Sequence, residues 1–284
     1  MMAESEKIDL AILDRKIQDI FPLPAVLEKI LQVINEPGSS LAAVENIFKY
    51  EPCMTLKILG LANSAYYGSS GKITNIHTAI TLLGLNLVKN LAIHASVNDL
   101  FRFGTTLPGF SGYELWKHSV GVAVATKMIS RQLKLGNAED FFTLGILHDV
   151  GLIIEYQFCQ RGFISVLTRI SEGGVLTQIE QEILGTHHAA LAKRLFEKWQ
   201  MPEALTQTIF YHHTPLAAPA PLQRHAGILY LADNLVRRKN FGFGSPPDEL
   251  SAEILALLNW EESRLAQLQQ DFDQEIMEMT LFLQ

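Results

Sequence analysis

Within the apolar run Thr143-Leu-Gly-Ile-Leu-His-Asp-Val-Gly-Leu152 an imidazole and a carboxylate stand side by side, as His148 and Asp149. Burying such a pair is costly unless both groups are hydrogen-bonded, paired or bound to a metal. Other residues of the same chemistry lie on or beside apolar helical patterns: His118 with Glu114 four residues before it, His188, the doublet His212-His213, and Asp233. Neutral imidazole nitrogens and carboxylate oxygens are ligands for Fe, Mn, Ni, Zn or Co, and this set selects none of them. It exceeds what a single ion takes from a protein, so one or two divalent transition-metal ions are expected. Asp149 is assigned the bridge between them and, as the catalytic candidate, the orientation of an attacking water.

Composition supports treating these residues as a set. Nine histidines in 284 residues would give roughly 0.3 adjacent His-His pairs by chance, and this chain has two, His187-His188 and His212-His213. Other catalytic signatures are absent: no Gly-x-Ser-x-Gly elbow, no phosphate-binding Gly-x-x-x-x-Gly-Lys loop, no Gly-x-Gly-x-x-Gly fingerprint and no His-Glu-x-x-His helix.

The elements that must position these groups read as helices throughout. Helical periodicity predicts one helix over Tyr113–Lys134, carrying Glu114 and His118 on one face, and a central one over Phe141–Phe158 with His148 and Asp149. Another is predicted over Gln178–Trp199 with His188, and a further one carries Ile228, Leu229, Leu231, Asp233 and Leu235. The first hundred residues read as short helices, including one over Ile76–Val97, interrupted by Asn63–Gly71 with its two tyrosines. His77 and His94 there are read as structural. The last helix carries Leu265, Leu268, Phe272, Ile276 and Met279 on one stripe, suited to core packing or, alternatively, a homodimer. The expectation is therefore all-α: an N-terminal bundle of short helices (1–108) packed on a helical bundle holding the metal ligands (109–240), followed by C-terminal helices (241–284).

A net charge of −7 excludes an extended basic footprint for nucleic acid or an anionic membrane. The short cluster Arg237-Arg-Lys239 is read as a solvated helix end. Two cysteines, Cys53 and Cys159, outside any Cys-x-x-Cys spacing indicate neither a disulfide framework nor a thiolate zinc site. With no signal-like start and no long apolar run, a cytoplasmic protein is expected.

Nine short segments together resemble the HDOD family, a branch of the HD-domain superfamily of metal-dependent phosphohydrolases. They are Leu23-Pro24, Glu51-Pro-Cys-Met-Thr-Leu-Lys57, Leu61-Ala-Asn-Ser-Ala-Tyr-Tyr-Gly68, Thr78-Ala-Ile-Thr-Leu-Leu-Gly84, Trp116-Lys-His118, Leu147-His-Asp-Val-Gly151, Gly185-Thr-His-His-Ala189, Trp199-Gln-Met-Pro202 and Tyr211-His-His213. The resemblance covers about residues 20 to 235. It implies an all-helical fold and a bacterial signal-transduction role. At the site the chain is similar to the HD-GYP branch, which implies Glu114, His118, His148, Asp149, His188, His212, His213 and Asp233 as metal ligands and picks His188 rather than His187. The chain departs from that branch where Thr214-Pro-Leu-Ala217 follows the doublet in place of Gly-Tyr-Pro, and where Leu152 stands in place of a lysine. A standard cyclic di-GMP hydrolase is therefore not expected. Two functions follow as expectations: a signalling module that retains an HD-type metal site and acts on a protein partner, or a metal-dependent phosphohydrolase acting on a phosphorylated small molecule or nucleotide.

Overall fold

The computed structural model describes residues 7–23, 25–35, 41–48, 52–63, 73–101, 107–261 and 263–279. Among them there are sixteen α-helices and no strand, as the periodicity predicts. The chain divides into two compact units, residues 22–99 and residues 1–21 with 100–284. The tyrosine stretch after Asn63 lies outside the described residues.

The smaller unit contains α2 (Ala25–Asn35), α3 (Leu41–Phe48), α4 (Pro52–Ala62), α5 (Ile76–Leu83) and α6 (Leu85–Asn98). Ile30, Val44, Phe48, Ile58, Ile80 and Val88 form its core. Gly84, at φ +83°, splits the single helix expected over 76–97. That conformation is open to glycine and costly for other residues.

In the larger unit the first helix, α1 (Leu10–Ile20), departs from the expected grouping with the N-terminal bundle. It packs on α12 (His188–Lys198). Asp14 pairs with Arg194 at 2.7 Å, and the buried Trp199 donates its indole N–H to Phe21 O at 3.1 Å.

The centre of this unit is α7 (Gly112–Leu133), started by Ser111, whose hydroxyl accepts the Glu114 N–H. On it pack α8 (Ala138–Leu147) and α14 (Gln223–Arg238). A Cβ on Gly145 would lie 2.4 Å from backbone atoms of Ala123, so α7 and α8 touch backbone to backbone. Small residues at that crossing bring His118 and His148 within reach of each other. Next come α9 (Val150–Phe158), α10 (Gln160–Ser171), α11 (Leu176–Leu184) and α13 (Glu203–Phe210), and then α15 (Ala252–Leu258) and α16 (Ser263–Met279). The α16 stripe is used internally: Leu268, Phe272 and Ile276 are buried, and the helix packs on α7. Among the described residues no helix is long and apolar enough to cross a membrane.

Candidate metal centre

Two of the helices expected to be continuous are broken where the chemistry lies. The central run stops at Leu147 and restarts at Val150, leaving His148 and Asp149 in the step between α8 and α9. Successive residues of one helix point about 100° apart; the step lets both side chains face one centre. The 178–199 run breaks at Gly185, a left-handed cap, so that His188 opens α12. His212 and His213 follow α13 in a turn, and Asp233 comes from within α14.

Asp149 is the hub. Its Oδ2 lies 3.1 Å from His148 Nε2 and 3.6 Å from His118 Nε2; its Oδ1 lies 3.4 Å from His188 Nε2 and 3.9 Å from His212 Nε2. Asp233 Oδ1 lies 3.2 Å from His118 Nε2, and His213 Nε2 lies 2.9 Å from His188 Nε2. Seven of the eight expected ligands thus form two metal-capable groups, Asp149 with His188, His212 and His213, and His118 with His148 and Asp233. The two oxygens of Asp149 face one group each. All seven are buried except His213, which is partly so.

Glu114 is not brought in. Its side chain is 45% exposed and pairs with Lys117 at 3.9 Å, while its backbone oxygen accepts the Phe243 N–H. Sharing a helix face with His118 did not suffice, because Glu114 sits one turn nearer the end of α7.

The far side of each ring is anchored. His148 Nδ1–H donates to Gly145 O at 2.8 Å and His212 Nδ1–H to Ile209 O at 2.6 Å. His188 Nδ1 meets both oxygens of Glu180, at 2.8 and 2.9 Å, and its backbone N–H donates to the same carboxylate at 3.2 Å. Anchoring Nδ1 as a donor leaves the Nε2 lone pair for a metal. Accordingly, among the described residues, Nε2 of His212 is buried without a hydrogen-bond partner, and Nε2 of His148 meets only the Asp149 carboxylate, at 3.1 Å. Buried acceptors left this way are costly and rare, so this donor set fits a bound cation.

Electrostatics agree. Burial pushes Asp149 up, but His148, then His188 and His118, outweigh it and hold the carboxyl well below the usual range. Asp233 is held low against burial by Arg237 and then His118. Burial, reinforced by the charges of His148 and His188, drives His212 down to about 3. His188 goes the other way, to about 9, because Glu180, Asp149 and Asp233 outweigh its desolvation.

Arg237, expected on a solvated helix end, is instead buried. It bonds Asp233 at 2.8 Å, Asp248 at 3.0 Å and Ser245 Oγ at 3.1 Å. The 241–245 strap closes over the centre. Gly242, at φ +83°, lies so near α7 that a Cβ there would meet His118 N at 2.3 Å, and Phe243 packs edge-on against Phe110. The remaining cavity, bounded by His118, Asp149, His213, Arg237, Phe243 and Ser245, leaves about 10 Å³ to the centre of a water-sized sphere, room for about one water.

Sequence reasoning missed Glu155, Glu180, Arg237 and the strap. Glu155 carried a usable signal, a carboxyl inside the apolar run Val150-Gly-Leu-Ile-Ile-Glu-Tyr156. Glu180, between Ile179 and Gln181 and near Glu182, carried none.

Fold and site together define an all-helical protein with a buried His/Asp cluster able to hold metal. The HDOD domain model matches residues 20–215, and the chain belongs to that family. It is 24% identical over 231 residues to an uncharacterized protein of Treponema pallidum, covering 77% of this chain and 42% of that protein. The chain thus spans less than half of that curated relative. Among solved structures, an HDOD domain protein from Geobacter sulfurreducens superposes with a TM-score of 0.74 at 24% identity, covering 96% of each chain. A Shewanella amazonensis protein provisionally named a phosphohydrolase gives 0.74 at 23%, covering 96% of this chain and 98% of that one. A Marinobacter aquaeolei protein provisionally named a signal transduction protein gives 0.75 at 21%, covering 97% and 66%. These likenesses establish the fold.

Proposed function

We propose that this chain is a signalling module whose buried cluster holds one or two divalent transition-metal ions, and that its output runs through a protein partner. The observation that carries the reading is closure. Arg237, Phe243 and Ser245 cover the cluster and leave space for about one water, far less than a phosphodiester needs. The wider groove beside His213, about 410 Å³, is lined by Gln178, Gln181, Glu182, His187, Phe210 and Thr214, with Lys193 Nζ 4.6 Å from the Phe210 ring.

His188, His212, His213 and Asp149 Oδ1 would hold one ion, and His118, His148, Asp233 and Asp149 Oδ2 another. When bound, such ions acidify a coordinated water and polarise phosphoryl oxygens. The chain's own residues do the rest: Glu180 and two backbone carbonyls orient the rings, Arg237 balances Asp233, and the strap narrows the space over the cluster to about one water.

A second reading, a metal-dependent phosphohydrolase for a phosphorylated small molecule or nucleotide, is favoured by one feature. Each oxygen of Asp149 faces a separate ligand group, as in two-metal hydrolases. Turnover of bis(p-nitrophenyl) phosphate by the metal-loaded protein separates the two. The signalling reading expects bound metal without turnover; turnover that disappears in Asp149→Ala would replace it with the hydrolase.

A further inference from the structure

The segment joining α14 to α15 covers the cluster without being woven into the helical bundle. Among the described residues, the only backbone–backbone hydrogen bond made by residues 242–250 runs from Phe243 N–H to Glu114 O, at 2.8 Å. Side chains of α14 do the other fastening. Arg237 Nη1 donates to Ser245 Oγ and to Pro246 O, each at 3.1 Å, and Nη2 donates to Asp248 Oδ2 at 3.0 Å while also holding Asp233 Oδ2 at 2.8 Å. Arg238 Nη2 donates to Asp248 O and Tyr230 Oη to Glu249 O, both at 2.9 Å. The buried ring of Phe243 plugs the cover against Phe110. Segments with so few backbone hydrogen bonds open locally, well short of unfolding the domain they belong to. The helices beneath, α7 and α14, pack directly on each other, so lifting the strap leaves their contact in place.

We propose that residues 241–248 form a gate over the cluster, latched by Arg237, and that ions exchange with the site when this gate opens while the bundle stays folded. Phe243, Gly244 and Ser245 make the outer wall of the cavity, and His118, Asp149 and Asp233 lie on its inner side. With room for about one water beneath it, the closed strap bars any larger solute from His118. Part of the latch lies outside the cavity: the Asp248 side chain is 28% exposed, so it can be altered without changing a wall of the site. That the exchanging solute is a metal ion rests on the metal-site reading; the gate itself does not.

The test labels the metal-free full chain with diethylpyrocarbonate, which attacks accessible imidazole nitrogens, and locates the labels by mass spectrometry. His118 lies under the gate, and His77, with a side chain 61% exposed, is the control. In the wild type His118 should label at least about 100-fold more slowly than His77. Asp248→Asn weakens a charge-assisted bond of the latch and should speed His118 labelling about 10-fold; Tyr230→Phe removes one neutral bond and should speed it about threefold. His77 should label at its wild-type rate in both. Uptake of Co(II) and its removal by a chelator should accelerate by the same factors, leaving affinity within about threefold. Wild-type His118 that labels as fast as His77 overturns the proposal, as do folded variants whose His118 labels at the wild-type rate. So does His118 labelling that depends on urea as steeply as global unfolding, since a local opening exposes far less surface. If Asp248→Asn does not fold, Tyr230→Phe and the urea dependence decide. A chain that labels as expected yet binds no Co(II) would keep the gate and sink the metal reading alone.

Discussion

Gly151→Ala tests whether the close approach of α9 and α12 builds the metal centre. A Cβ at position 151 would lie 1.9 Å from the His188 carbonyl oxygen and 2.6 Å from its carbon. Ordinary carbon–oxygen contacts begin near ~3.3 Å, so the start of α12 must retreat by roughly 1.4 Å. His188 Nε2, now 3.4 Å from Asp149 Oδ1, moves with it. Overpacking of this kind costs ~1–3 kcal/mol, and a value near 2 lowers the melting temperature by about 4–8 °C in a unit of this size. The larger effect should fall on one half of the site: the group of His188, His212 and His213 loses its ion, while His118, His148 and Asp233, on other elements, keep theirs. Calorimetry and metal analysis on the same sample measure both. A variant that melts with the wild type and retains full metal would show that this contact does not position the site.

Other perturbations have equally definite outcomes. Glu114→Ala should leave metal content unchanged, since its half-exposed side chain meets Lys117 and not the cluster; a lost ion would restore Glu114 as a ligand. Arg237→Met leaves Asp233 and Asp248 without their buried partner and should destabilise by ~3–5 kcal/mol, read as a shift in the urea midpoint; an unshifted midpoint would refute the pairing. In the metal-free protein, His212, held down to about 3, and His187, held by burial to about 4, take up protons only in the unfolded chain as pH falls below 6.5. Stability is thus lost on acidification through that window. His188 has the opposite sign: its contribution is full below 6.5 and lost as pH rises through about 9. Denaturation at pH 5, 7 and 9 should therefore show a maximum near neutrality, and a monotonic profile would contradict these assignments.

The candidate His/Asp cluster was legible because buried His and Asp are expensive and therefore conspicuous in an apolar run. His148-Asp149 announced itself this way, and seven of the eight expected residues converge. Helix breaks were harder to see. The apolar pattern runs on through His148-Asp149, and what interrupts it is a tertiary demand, two neighbouring side chains aimed at one point. Arg237 was misread for a related reason: a basic residue in the last turn of a helix is ordinary on a surface, and its burial comes from Asp248 in a loop eleven residues away. The strap depends on Gly242 meeting α7, a contact between segments more than a hundred residues apart, which no local pattern encodes. Helical content and the core stripe of α16 followed directly from periodicity, whereas α1 joined the larger unit through contacts to α12 that its own amphipathic pattern does not specify.

The central claim is that Asp149 joins two metal-binding groups. Metal content per chain by plasma mass spectrometry, on wild type, His148→Ala, His212→Ala and Asp149→Ala, tests it most directly. The account predicts about two ions in the wild type, about one in either histidine variant and none in Asp149→Ala. A wild type without metal after reconstitution, or an Asp149→Ala protein that retains both ions, would contradict it.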